Sequence, residues 1–282
     1  KTYLSSIQYL ENEVNFRALA HMYNNLGYLY HLQGKYGSAV ICIQNTIEYA
    51  RRTNYDRMIA YGLASLGDLY FDIDSINEAL EIYQSAANAS EEIQDKGLNF
   101  YVLCALARVY QKRNENYLLM DTRQKLEILA NAKMERQKIF VLVNAENALY
   151  AGDYLQLAFY INRFYEIYAS GLDQIDLARA DFLVLVSVIH QGKEDKTRNL
   201  LDLIESALNN STKNVYYLSG AKRLLPWLET CQNQIRTKEI KTRYHNLLIR
   251  LSKFGENINE TRKRVRQYIQ DVPVPDFRNC SY

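Results

Sequence analysis

NNLGYLYHLQGKYGSA spans residues 24–39, and ASLGDLYFDIDSINEA spans residues 64–79. Both place a Leu-Gly pair and an aromatic residue four positions later ahead of a short polar turn, then an Ala after it. The turns begin at Gly34-Lys35-Tyr36 and Asp74-Ser75-Ile76, and the pattern continues at Asn114-Glu115-Asn116, Gly152-Asp153-Tyr154 and Gly192-Lys193-Glu194. Successive turns are 40, 40, 38 and 40 residues apart. A fixed period of this length is the mark of a repeat architecture.

Before each turn, apolar or small residues recur at i, i+3, i+4 and i+7: Tyr23, Leu26, Gly27, Tyr30; then Leu63, Leu66, Gly67, Tyr70; then Leu103, Leu106, Ala107, Tyr110. That spacing is one face of an α-helix. After each turn a second amphipathic segment follows, as in 36–52 with Ala39, Ile43 and Ile47, or 76–93 with Ala79, Tyr83 and Ala86. Each unit is thus a helical hairpin, and a lone hairpin cannot bury its own apolar face, whereas a stack of them can. Gly27 and Gly67 in mid-helix cost about 1 kcal/mol of propensity. The expected gain is close approach of the partner helix opposite Ala39 and Ala79.

The expected fold is all-α: an α-solenoid, a right-handed superhelix of about five hairpins with C-terminal capping helices. The expected boundaries are a lead-in or helix at 1–14, repeats at about 15–54, 55–94, 95–132, 133–171 and 172–210, a cap at 211–270 and an exit linker at 271–282. Three helical patterns fill the region after 212: 213–232, in which Pro226 should kink the helix or delay its start, then 235–253 and 256–270. Pro273 and Pro275 push their predecessors to extended backbone, hence the linker.

The residues Leu26-Gly27, Tyr30 and Ala39, and Leu66-Gly67, Tyr70, Ala79, Tyr83 and Ala86, resemble the tetratricopeptide (TPR) signature in its longer form of about forty residues. The third copy keeps Leu106, Ala107 and Tyr110; the fourth and fifth keep mainly the Gly turn, with Asn144 and Asp181 where apolar residues are expected. In TPR arrays the first helix of each hairpin lines an inner groove. The resemblance therefore implies a groove formed by His21, Asn24, Tyr28 and His31, then Tyr61, Asp68 and Phe71, then Tyr101, Cys104, Arg108 and Gln111. Polar groups interleaved with aromatics suit a peptide backbone or a partner helix; packing between repeats is the competing use of Tyr61, Phe71 and Tyr101. Repeats four and five would present a stripe of Ile139, Leu142, Leu149, Phe182, Val186 and Ile189, apolar apart from Glu146 and Arg179. Three outcomes are open for it: cover by the C-terminal helices, cover by a second subunit, or use as a ligand pocket.

Composition bounds the chemistry. The chain has 282 residues, 48% hydrophobic and 23% charged, as an ordinary packed protein has. No Gly-x-Gly-x-x-Gly, Gly-Lys-Ser/Thr, His-Glu-x-x-His or Gly-x-Ser-x-Gly motif occurs. His21 and His31 sit ten residues apart, about 15 Å along a helix, too far to share a metal. Cys42, Cys104, Cys231 and Cys280 match no metal or disulfide spacing and read as buried thiols of a cytoplasmic protein. Carboxylate pairs such as Glu91-Glu92 and Asp72/Asp74 fall at helix ends, where solvated acids are normal. The chain is therefore expected to be no enzyme, with no cofactor and no metal. No apolar run of ~18 residues occurs, so no membrane span is expected.

Charge is uneven: residues 233–282 hold 11 Lys/Arg against 5 Asp/Glu, leaving 23 against 27 in residues 1–232. The run Thr261-Arg262-Lys263-Arg264-Val265-Arg266 invites a phosphate-binding reading, but a basic residue near a helix C-terminus is favoured by the helix dipole, and a solvated basic face is common.

"GDLY" and "LARADFLVLVSVIHQGK", the basic helix and the Pro-rich exit together are similar to the TPR region of maltose-activator-like bacterial transcription regulators, which carry an NTPase module and a LuxR-type or SARP-type DNA-binding domain. That resemblance implies a sensor region taking a protein, a peptide or a small-molecule inducer, with DNA reached only through a separate domain, and with homodimerisation open. The start without Met reads as a fragment of something longer. A TPR scaffold for protein assembly and a peptide-pheromone receptor domain are the alternatives.

Overall fold

The computed structural model of the chain describes residues 2–12, 14–167 and 174–263. The described residues form helices and no strands, and consecutive helices pack as pairs, an all-α helical repeat. Two compact units divide the described residues: those up to 109 together with 255–263, and those from 110 to 254.

The spacing of the turns has a backbone cause. Residues Val14, Gly34, Asn54, Asp74, Gln94 and Asn114 all have positive φ, one every twenty residues, and Gly152 and Gly192 continue the set. Each ends a helix in the left-handed region and closes it with a paired backbone motif. At the first hairpin, Lys35 N–H donates to Tyr30 O at 2.9 Å and Gly34 N–H to His31 O at 2.9 Å; at the second, Ser75 donates to Tyr70 and Asp74 to Phe71. This arrangement satisfies carbonyls the helix would otherwise leave bare and reverses the chain in three residues. Glycine takes this conformation freely, and Asn and Asp tolerate it. Val14, β-branched at φ 54°, is the one that fits worst.

The first unit contains α1 (Thr2–Asn12), α2 (Phe16–Leu32), α3 (Tyr36–Arg51), α4 (Asp56–Asp72), α5 (Ile76–Glu92) and most of α6 (Lys96–Lys112). Asn15 caps α2, its side chain accepting from Ala18 N–H at 3.1 Å. Ile7 of α1 covers Leu19 and Leu26 of α2 together with Cys42 of α3, and Tyr49 stacks on Phe16 and Tyr23. At the helix crossings Ala20, Ala39, Ala50, Ala60, Ala79 and Ala86 are fully buried, which lets backbones close up.

One of the two mid-helix glycines does different work from that expected. A Cβ at Gly27 would stand 3.3 Å from the Cys42 and Ile43 side chains and 3.5 Å from the Ala39 carbonyl oxygen, the expected close approach of the partner helix, whereas a Cβ at Gly67 would stand 2.6 Å from the ring of Tyr83. Gly67 therefore makes room for an aromatic ring, not for a small residue at Ala79.

Residues 258–263 are helical and belong to the first unit. Gly255, at φ 84°, turns the chain into this segment. Glu256 N–H donates to Gly34 O at 3.0 Å, and its carboxylate accepts from Gly37 N–H at 3.2 Å, at the N-terminus of α3. Buried Thr261 donates its hydroxyl to the same carboxylate at 3.1 Å. Arg262 donates Nε–H to Ile73 O at 2.9 Å, at the C-terminus of α4, and approaches Asp74 at 3.4 Å. An acid thus meets a helix N-terminus and a guanidinium a helix C-terminus, each matching the local sign of the helix dipole.

The second unit contains α7 (Asn116–Ala130), α8 (Met134–Tyr150), α9 (Tyr154–Ile167), α10 (Gln174–His190) and α11 (Glu194–Asn209), then α12 (Asn214–Lys222), α13 (Leu225–Cys231) and α14 (Lys238–Ser252). α10 packs against α8, α9, α11, α12 and α13. Gly220 of α12 permits close approach, since a Cβ there would lie 3.2 Å from that of Ala178. Buried Tyr244 of α14 ties the end of the stack to α13 by donating to Leu228 O at 2.7 Å.

Two sequence expectations change here. Pro226 neither kinks one helix nor delays its start: the pattern at 213–232 splits into α12 and α13, with Pro226 in the first turn of α13, where a missing N–H costs nothing. The region 211–270 is not one cap either, because α12–α14 pack in the second unit while 255–263 dock in the first. The linker expected at 271–282 and Arg264 to Arg266 lie outside the described residues.

Candidate functional site

Counting back from each hairpin's left-handed residue defines a common register on the first helices α2, α4, α6, α8 and α10. Six positions before it stand Tyr28, Asp68, Arg108, Glu146 and Val186; thirteen before it stand His21, Tyr61, Tyr101, Ile139 and Arg179. The two rows meet across neighbouring first helices. Asp68 of α4 accepts a hydrogen bond from Tyr101 of α6, and Glu146 of α8 accepts from Arg179 of α10, each pair 33 residues apart. Asp68 also accepts from Tyr83 of α5 at 2.7 Å, the contact that Gly67 makes room for. Glu146 accepts a second bond from Arg179 Nε at 2.8 Å, and Arg179 reaches Asp176 at 2.6 Å. Glu146 and Arg179 are both buried, so this charged pair is held out of water inside the unit.

The expected groove residues divide by burial. On α2, His21 and Tyr28 are exposed and Asn24 and His31 half-buried. His21 tilts against Tyr55 at 5.4 Å, and His31 Nε2 lies 2.7 Å from Asp72 of α4. Tyr61 is half-buried, its hydroxyl 3.4 Å from Asp95, whose carboxylate also meets Arg57 at 3.1 Å. The N–H groups of Leu98 and Gly97, with Arg57, hold Asp95 below the usual carboxylate range against the opposing effect of burial. Tyr101 keeps its ring exposed while its hydroxyl donates to Asp68, and Gln111 is half-buried.

Asp68, Phe71, Cys104 and Arg108 are buried, so the strip expected to face a ligand is closed at these four positions. From Gly62 to Phe71 only Ser65 is not buried, and 102–110 are buried throughout. A helix enclosed on every side presents no groove face. The open part of the expected site is the face of α2, with Tyr61 and Tyr101 beside it in the register.

On that face Asn24 stands apart: its Oδ1 is buried and meets no donor. Asn99 Oδ1 on α6 is in the same condition. A buried acceptor left unpaired costs about 1–3 kcal/mol.

The apolar stripe is interior to the second unit. Leu142, Leu149, Phe182, Val186 and Ile189 are buried in one cluster with Tyr217, Leu224, Leu228, Ile240 and Tyr244 from α12–α14, and Ile139 is half-buried. Asp181, at an expected apolar position, accepts from the Tyr217 hydroxyl; burial raises its pKa and that bond offsets part of the rise. Asn144 and Asn147 are buried on α8, with Asn144 Oδ1 and both polar atoms of the Asn147 amide lacking partners.

Cys42, Cys104 and Cys231 are buried free thiols; desolvation pushes Cys42 and Cys231 up to about 11, out of the reactive range at neutral pH. Among the described residues no group of three or more His, Cys, Asp or Glu is placed to hold a metal ion, and no helix is long and apolar enough to cross a membrane.

Sequence reasoning missed that Glu146 and Arg179 pair, missed the partners of Arg262, which it placed in a basic run, and missed Glu256 altogether. The pair carried a signal: the shared 33-residue offset joins Asp68 to Tyr101 and Glu146 to Arg179 once the turns are aligned. Glu256 and Arg262 carried none, since their partners lie 219 and 189 residues away. No protein-family model matches the chain, and no curated protein matches it significantly.

Proposed function

We propose that this chain is a tetratricopeptide-type binding module without catalytic activity, the sensor region of a bacterial transcription regulator of the maltose-activator-like kind, and that its ligand is a protein segment or peptide docked along α2. The observation that carries the ligand class is the buried, donor-less Oδ1 of Asn24 on an exposed strip with His21 and Tyr28. Turning the Asn24 amide outward would bring its Oδ1 to a peptide N–H, while the tyrosine rings at positions 28, 61 and 101 give apolar area with polar tips, the combination that holds an extended chain or a helix. The regulator reading rests on resemblance alone, that of the repeats, the basic run and the Pro-rich exit. Residence in the cytoplasm belongs to the same reading.

The test is a selection of random-sequence peptides on the immobilised chain, followed by titration of the survivors and hydrogen exchange of α2. Saturable binding that protects α2 and weakens at least tenfold in Asn24→Leu and Tyr28→Ala is expected. Survivors indifferent to both substitutions, or no saturable survivor, would refute the assignment.

A further inference from the structure

In a helical repeat the second helix of each hairpin faces outward, and its solvent side is ordinarily polar. α5 and α11 obey this: the exposed residues of α5 include Asn77, Glu81, Gln84 and Asn88, and those of α11 include Asp195, Lys196, Asn199 and Asp202. α7 and α9 do not. Tyr117, Met120 and Ile128 on α7 and Leu155, Phe159 and Tyr165 on α9 stand in water, with Tyr117 83% and Leu155 87% exposed. These two helices are neighbours within the second unit, Arg123 of α7 donating to the Tyr160 hydroxyl of α9 at 3.1 Å. Tyr117 and Leu155 hold the same register, three positions after their turns, so the six side chains run in two parallel rows along adjacent helices.

Their exposed fractions correspond to roughly 800 Å² when a large side chain is taken as ~200 Å². A monomer seldom leaves so many large apolar side chains on one face in water without a use, even with exposed polar residues such as Gln124 and Asn162 set among them. It equals the ~800 Å² each partner contributes to a stable interface of standard size. Charges beside the rows form one matched pair in each helix, Lys125 with Asp121 at 2.8 Å and Arg163 with Glu166 at 2.9 Å, and Glu127 adds an exposed carboxylate. Such a face selects no charged partner and does not repel its own image.

We infer that the outer face of α7 and α9 is the site where a second copy of this chain docks, through a two-fold contact of the same face with itself. An isologous contact of this kind closes at two copies. It is independent of whatever α2 binds, and it does not use the interior stripe of Phe182 and Val186.

The experiment is sedimentation velocity of the chain over a concentration series, with Leu155→Glu, Tyr117→Glu and, as a control on another exposed apolar residue, Leu203→Glu on α11. Circular dichroism verifies that each variant is folded, as substitutions at exposed positions allow. The expected result is a concentration-dependent dimer whose Kd rises at least tenfold in Leu155→Glu and Tyr117→Glu and is unchanged in Leu203→Glu. A single-chain mass at every concentration overturns the inference. So does a dimer indifferent to both α7/α9 substitutions, or a series of species growing without limit, which denotes a head-to-tail contact.

Discussion

Gly67→Ala is the sharpest probe of how the first unit is assembled. The added Cβ would stand 2.6 Å from both Cδ1 and Cε1 of Tyr83. No real Cβ sits that close to a ring, so Tyr83, fully buried, must move. Overpacking of this kind costs about 1–3 kcal/mol. A displaced ring also loses the 2.7 Å bond from its hydroxyl to Asp68, and a bond to a charged acceptor contributes about 1.5–3 kcal/mol. Against this stands about 1 kcal/mol of helix propensity gained by Ala over Gly. The net expectation is a loss of about 3 kcal/mol and a fall in Tm of roughly 6–12 °C. Gly27→Ala supplies the comparison: its Cβ would sit 3.3 Å from the Cys42 and Ile43 side chains, which need to yield by only a few tenths of an ångström, so the propensity gain nearly cancels the cost. The chain's one tryptophan, Trp227, lies in the second unit, so fluorescence would miss the event. Circular dichroism melts combined with hydrogen exchange of α4 and α5 read it directly. Repeating Gly67→Ala in a Tyr83→Ala background tests the cause. If the glycine substitution costs as much without the ring as with it, the steric account is wrong.

Three further perturbations have definite signs. Val14→Gly relieves a β-branched residue at φ 54° that is largely exposed, and is expected to stabilise the first unit by about 1 kcal/mol, whereas Gly34→Val at the equivalent turn should destabilise it; a urea titration of both variants checks the pair. Asn144→Leu restores the residue type found at the same register in Leu26, Leu66 and Leu106 and removes an unpaired buried acceptor, so a gain of about 1–2 kcal/mol is expected in thermal melts, and a loss would mean that the amide has a partner in solution. Asp181 has its pKa raised, by burial first and against the Tyr217 bond, so its ionised form is disfavoured in the folded state. It therefore holds back no stability below the ordinary carboxylate value of 3.8 and costs increasingly as pH rises through and above it. Asp181→Asn, which keeps an acceptor for Tyr217, should melt higher than the parent at neutral pH and coincide with it near pH 3. Equal melting at both pH values would refute this.

How much of this was legible beforehand depends on the range of each interaction. The hairpins were, because their turns are local: Gly34, Asp74, Asn114, Gly152 and Gly192 each end a helix with bonds inside six residues of chain. Amphipathic periodicity located the helices but misjudged their surroundings. It assumes two faces, one wet and one dry, and α4 and α6 have almost no wet face over 62–71 and 102–110. Phe71 and Arg108 were accordingly placed in a groove, and both are buried. The role of Gly67 was read from its neighbour in the pattern, Ala79, when the determining contact is a ring four residues further on. The outer apolar face of α7 and α9 left only a weak trace, since Leu155 and Phe159 look like any other core positions until their helix is oriented.

The clasp made by Glu256 and Arg262 sets an order of events during synthesis. The N-terminus of α3 and the C-terminus of α4 receive these partners from residues made 219 and 189 positions later. The first unit begins the chain yet is completed by nearly its last described residues, after the whole second unit has been translated. Its early hairpins must stand on local contacts while that happens. The closing step is a single long loop closure, whose entropic cost grows only slowly with the length of the intervening chain. A ribosome-stalled series should show α3 and α4 reaching their final protection only after residue 262 has left the exit tunnel.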